Sequence, residues 1–291
     1  MRTRLFYILF IAATSCLITG CRTKHDVGQM TGDTLKTEQA KTESVKTEPA
    51  KTEQTETLPA KTEVVKQETA DAETAKTVAA VPQGEPHPGF VYVQSLIPDL
   101  IVDLRYFTTN NFMGEKADGY EANVAILTKE AAQALAKAAA ELREKGYVVK
   151  VFDAYRPQCA VDHFVRWSKT DDQRNKQDYY PTFEKTSLFP QYIALKSGHS
   201  RGSTIDMTIC HRDTKEEVDM GGHFDYFGLP SHPSFTGKYP GGEVTKEHKQ
   251  RRLKLRELMV RHGFNPYDSE WWHFTLKNEP YPKTYFEFHV K

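Results

Sequence analysis

Two stretches of this chain gather residues able to do chemistry. "SGHSRGSTIDMTI", Ser197 to Ile209, places His199 seven residues before Asp206. Its second half alternates: Ile205, Met207 and Ile209 face one way, and Thr204, Asp206 and Thr208 the other. Asp206 therefore sits on the polar face of an otherwise core strand. The turn containing Gly202 lets His199 fold back over that strand. Imidazole nitrogen and carboxylate oxygen are both good zinc ligands, but a catalytic zinc takes three protein ligands and keeps one position open. "EWWHF", Glu270 to Phe274, offers His273 as the third. Glu270, three residues earlier, is then placed to act as the base that takes a proton from water activated by the metal.

Spacing alone is weak evidence in a chain with eleven histidines. His163, His211, His223, His232, His248, His262 and His289 are read as surface or structural. There is also a geometric objection. On a regular strand, residues 270 and 273 point to opposite faces. Both serve one site only if Glu270 lies in a turn or bulge, and "YDSE" before it is turn-like. Trp271 and Trp272 are then expected to wall the site, lower its dielectric and raise the basicity of Glu270 by desolvation.

The elements that must position these residues are legible in outline. "TKEAAQALAKAAAELREKG" predicts a helix capped by Thr128 and ended by Gly146, with Leu135 and Leu142 seven apart. "YVVKVFDAYRP" predicts a strand from Tyr147 to Phe152 and then a turn. "AVDHFVRW" predicts a short helix. "TKEHKQRRLKLRELMVRHG" predicts a second long helix with Leu255, Leu258 and Met259 on one side, and "EWWHFTL" a closing strand. Helices and strands mix without regular alternation, which points to an α+β fold with a mainly antiparallel sheet and flanking helices.

That fold occupies residues 87–291, a length suited to a single domain. Residues 1–20 read as a secretory signal: Arg2 and Arg4 precede an apolar run from Leu5 to Ile18, too short for a stop-transfer helix. Ile18-Thr19-Gly20-Cys21 resembles the bacterial lipobox, which implies cleavage before Cys21 and a lipid anchor on that thiol. Each buried methylene would contribute about 0.8 kcal/mol to anchoring. Residues 21–86, with "KTE" starting at Lys36, Lys41, Lys46, Lys51 and Lys61, read as a disordered tether. Its random-coil span is roughly 45 Å, and its stretched reach on the order of 200 Å. Arg22 after the cysteine favours the outer membrane where the cell has one. Cys159 and Cys210 remain as a pair whose bonding the sequence leaves open. With 39 basic and 39 acidic residues and no basic stripe, nucleic acid is not an expected partner.

"SGHSRGSTIDMTI" and "EWWHF" resemble the signature pair of the zinc D-alanyl-D-alanine dipeptidases of the VanX type. "DGYEANVAILTKEAAQAL", "VFDAYRP", "DMGGHFDYFG" and "PYPKTYFEFHVK" resemble the same family in the same order. The resemblance implies a single zinc-peptidase domain with one zinc per chain. His199, Asp206 and His273 correspond to its ligands, and Glu270 to its catalytic base. Arg156 corresponds to the arginine that steadies the developing oxyanion; without the resemblance, an ion pair with Asp153 would be the simpler reading. Ser197 and Asp225 match positions that hold the dipeptide, Asp225 at its ammonium and Ser197 at its carboxylate. The expected activity is hydrolysis of a small D-amino-acid dipeptide in cell-wall peptide turnover. A D,D-carboxypeptidase with the same metal centre, or a non-catalytic wall-binding lipoprotein, are the competing expectations. A dipeptidase needs a cleft closed behind the substrate amine; a carboxypeptidase needs it open.

Overall fold

The computed structural model describes residues 82–291. The expected signal peptide and the tether up to residue 81 lie outside them. In chain order the strands are β1 (Phe90–Tyr92), β2 (Ile101–Val102), β3 (Ile126–Thr128), β4 (Tyr147–Asp153), β5 (Thr204–His211), β6 (Gly237–Tyr239), β7 (Gly242–Val244), β8 (Phe264–Tyr267) and β9 (Glu270–Leu276). The helices are α1 (Lys129–Glu144), α2 (Gln158–Trp167), α3 (Lys176–Tyr179) and α4 (Lys246–Arg261). The main sheet has five strands in the order β2-β4-β5-β9-β8. Only β2 with β4 runs parallel; its other pairs are antiparallel. The fold is thus α+β, as expected.

α1 begins where the Thr128 hydroxyl accepts a hydrogen bond from the Ala131 N–H, satisfying one of the orphan donors of a helix start. Its buried stripe is mostly alanine with Leu135 and Leu142, so it lies close against β3 and β4. α4 opens with a reciprocal cap: the His248 N–H donates to Thr245 Oγ1, and the Thr245 N–H to His248 Nδ1. It buries Leu255, Leu258 and Met259 against β8 and β9. It also buries Arg252, which its charged sequence did not announce.

Two details place the site. First, the register sets Asp153 of β4 opposite Asp206 of β5, and Asp206 opposite His273 of β9. Three polar residues thus form one row across the sheet, with Cβ atoms about 4.5–5.5 Å apart from strand to strand. Second, a 3-10 turn, Gly198–Arg201, sits over the start of β5. Gly202 closes it at φ +80°, and a Cβ there would lie 2.1 Å from the Phe90 ring. Only glycine fits. The turn helps make the polar face of β5 an interior face: Thr204, Asp206 and Thr208 are as buried as Ile205 and Met207. Cys159 and Cys210 are both free thiols. Among the described residues no helix is long and apolar enough to cross a membrane.

Candidate active site

The turn and the sheet row bring His199, Asp206 and His273 together. One ligand atom from each lies within 4.8 Å of the others. His199 Nε2 stands 3.2 Å from Asp206 Oδ2 and 3.4 Å from His273 Nδ1. His273 Nδ1 stands 3.0 Å from Asp206 Oδ1. His199 Nδ1 donates to the Ala154 carbonyl at 2.7 Å, which leaves the Nε2 lone pair facing the cluster. Asp206 Oδ1 is buried and makes no hydrogen bond despite its near imidazole. A buried carboxylate whose two oxygens face one imidazole nitrogen each, one of those oxygens without a hydrogen bond, suits a bound cation. The donor set fits zinc.

Glu270 joins this cluster because the hairpin before it is irregular. Tyr267 pairs with Glu270, but Pro266 pairs with Phe274, so β9 carries extra residues at this point. The bulge turns Glu270 toward His273: Oε2 lies 3.4 Å from Nδ1. Burial, with a further contribution from Asp206, pushes the Glu270 carboxyl up to about 7. Neither tryptophan lines the pocket, although the sequence predicts that both wall it. Trp272 packs edge-on against Phe224, and Trp271 lies beside the Arg252 guanidinium. Both are buried, and they dry the strand on which Glu270 sits.

Arg156 makes the ion pair with Asp153 that its sequence position allowed, Nε to Oδ2 at 2.8 Å. It also reaches the pocket, with Nη2 3.7 Å from Asp206 Oδ2 and its guanidinium over the Tyr106 and Phe164 rings. Burial opposes its charge, yet Tyr106, Asp153 and Asp206 hold its pKa above the ordinary arginine value. The structural pairing thus aims the guanidinium. Asp153 is itself buried and takes a second bond from the Tyr120 hydroxyl at 2.6 Å.

Ser197 and Asp225 both line the same pocket as Glu270 and Arg156. The Ser197 hydroxyl accepts from the His199 N–H at 3.2 Å, capping the turn, so it retains a proton to donate. Asp225 is buried at φ +63°, in the left-handed region. Burial holds its carboxyl well above the usual carboxylate range, against the pull of the hydrogen bond from Tyr106. That bond, 2.8 Å from the Tyr106 hydroxyl, joins residues 119 apart in sequence. Tyr106 carries no local sequence signal, and neither it nor Tyr267, whose ring lies 5.5 Å from His273, was singled out from the sequence. The cavity is about 190 Å³, below the roughly 300–1,000 Å³ typical of sites for drug-sized ligands. His248, His262 and His289 sit in caps or surface ion pairs, as expected of them.

Three residues able to hold a metal, His199 and Asp206 buried and His273 half-buried, beside a carboxyl of raised pKa in a small pocket of an α+β domain, are what a metal-dependent hydrolase needs. Residues 87–291 match the family model of the M15 peptidases, described as D-ala-D-ala dipeptidase. The chain is 42% identical over 204 residues to a D-alanyl-D-alanine dipeptidase of Enterococcus faecalis, covering 69% of this chain and 98% of that protein. It is 38% identical over 205 residues to one of Enterococcus faecium (70% and 98%) and 39% identical over 203 residues to one of Streptomyces coelicolor (69% and 98%). The chain belongs to the M15 peptidase family.

Proposed function

We propose that this chain is a zinc-dependent D-alanyl-D-alanine dipeptidase, acting on free dipeptide in cell-wall peptide turnover. His199, Asp206 and His273 would hold the metal. Bound there, zinc supplies Lewis acidity, which polarises a carbonyl and makes water nucleophilic near neutral pH. Glu270 takes the proton from the attacking water and returns it to the departing amine, a role that its burial favours by raising its basicity. Arg156, fixed by Asp153, faces the negative charge that develops on the scissile carbonyl oxygen. Asp225 receives the substrate ammonium, and Ser197 donates to its carboxylate.

One observation favours the dipeptidase over the carboxypeptidase reading: the pocket is small, about 190 Å³, and the buried rings of Tyr106, Phe112, Phe164 and Phe227 share its lining with Asp225. A pocket of this size suits a free dipeptide better than a longer peptide. The test is to block the amine. N-acetyl-D-Ala-D-Ala is expected to be a very poor substrate, and its efficient cleavage would transfer the assignment to a carboxypeptidase. Retention of Glu270 and Arg156 beside the metal ligands speaks against a purely wall-binding role.

The place of action is a further part of the proposal. The lipobox at Cys21 and the repeat-rich segment after it support an exported lipoprotein held at a membrane, its domain working in the space of the wall. There it would scavenge or recycle D-amino-acid dipeptides.

A further inference from the structure

Arg252 is wholly buried in the middle of α4, and it has no carboxylate partner within ion-pair distance among the described residues. A cation is an expensive way to fill a helix face toward a core. What it meets instead is backbone. Nε donates to the Met220 carbonyl at 2.7 Å. Nη1 donates to the Pro230 carbonyl at 2.7 Å and the His232 carbonyl at 3.1 Å. These three carbonyls bracket a single loop, residues 220–232, and Asp225 lies inside the bracket. The planar guanidinium reaches both ends of the loop at once, which an ammonium or a neutral side chain does not do. Gly222 leaves room for it: a Cβ there would come within 3.2 Å of Nη2.

Asp225 needs such a clamp. A non-glycine residue in left-handed backbone persists where its surroundings over-determine it. The loop's other bonds, within it and to its neighbours, serve the same end. Phe227 N–H donates to the Tyr179 carbonyl at 2.7 Å, the Ser231 hydroxyl bonds the Tyr226 carbonyl, and the Tyr239 hydroxyl bonds the Gly221 carbonyl at 3.3 Å. The guanidinium also lies 5.6 Å from the Trp271 ring, next to Glu270 in the chain. One side chain thus touches both the loop that presents Asp225 and the strand that presents the base.

We infer that Arg252 is a positioning residue for recognition of the substrate ammonium: it clamps the 220–232 loop so that Asp225 points into the pocket. The inference rests on Asp225 holding that ammonium. Arg252 touches no substrate, so its loss acts on binding through Asp225 rather than on the bond-breaking step.

The experiment compares full-length, zinc-loaded R252K, R252M and D225N proteins and the R252K/D225N double variant on D-Ala-D-Ala. A displaced Asp225 raises KM about ten-fold or more in R252K and R252M while kcat stays within about three-fold. In the D225N background, R252K then adds less than about two-fold to KM, because the carboxyl it positions is already gone. Should R252M fail to fold, R252K carries the test together with amide hydrogen exchange, which must quicken in residues 220–232 and not in β5. An R252K protein with parental KM, or an effect that multiplies with D225N, overturns the clamp. Where D225N itself keeps the parental KM, the ammonium-holding reading of Asp225 falls, and the purpose of the clamp with it. Where D225N raises KM and R252K does not, the clamp alone falls.

Discussion

Glu270 and His273 are three residues apart on one strand, yet Glu270 Oε2 lies 3.4 Å from His273 Nδ1. A regular strand would put them on opposite faces. The bulge opposite Pro266 and Tyr267 makes the meeting possible, so the proposed base and a proposed metal ligand share one pocket. Glu270→Ala should therefore keep its zinc, because the three ligands remain, but lose turnover by about 10²–10⁴-fold. Metal analysis beside kcat checks this. Activity within a few-fold of the parent would reduce Glu270 to a structural role.

The pH profile follows from the same carboxyl. Burial raises it to about 7 in the metal-free pocket. A cation at the neighbouring ligands favours the charged form and moves it down. Glu270 acts as a base only when deprotonated, so kcat/KM should rise with pH along an acid limb centred at or below about 7 and then level off. A rate that falls as pH climbs through that limb would contradict the assignment.

Zinc affinity should also climb with pH. Burial works against charge on His273, but Asp206 and Glu270 more than offset this and raise its pKa above the ordinary histidine value. A proton on His273 must leave before the nitrogen can bind metal. Competition with a chelator at several pH values should show zinc lost progressively under acid conditions. His273→Ala leaves two protein ligands, and its metal content should collapse. A fully loaded, active His273→Ala protein would sink the ligand set.

Burial disfavours the Asp225 carboxylate, and an ammonium arriving beside it favours that charged form; Asp225→Asn removes the carboxylate available to the ammonium. Breaking one side of a buried charged pair costs roughly 2–5 kcal/mol, so KM for the dipeptide should rise on the order of 30-fold or more. Steady-state kinetics decide it; an unchanged KM would move the ammonium elsewhere.

The anchor rests on other residues. Cys21→Ser should release the protein into soluble fractions with its activity intact, since the pocket residues begin at Tyr106. Mass spectrometry showing an unmodified terminus other than Cys21, or a Cys21→Ser protein still on the membrane, would defeat the lipoprotein reading and leave the zinc site standing.

Much of the site was legible because its signals are local. His199, Gly202 and Asp206 lie within one turn and strand, and the turn-like "YDSE" foretold the bulge that frees Glu270. The two long helices announced themselves by caps and apolar spacing. What stayed hidden depends on contacts between distant segments. No pattern near Tyr106 points to Asp225, 119 residues away. Nothing in "RRLKLREL" separates Arg252 from its solvated neighbours, because its burial is decided by a loop some twenty residues earlier. The alternation in β5 gave the right two faces but not that both are interior, which the turn at Gly198–Arg201 determines.

The most direct test sets two substrates side by side. Zinc-loaded protein is given D-Ala-D-Ala and, separately, a wall stem pentapeptide ending in the same two residues, and D-alanine release is measured. A pocket of about 190 Å³ lined in part by buried aromatics predicts rapid cleavage of the free dipeptide, dependent on Glu270, and almost none of the pentapeptide. Efficient trimming of the pentapeptide with the dipeptide left intact would contradict the account.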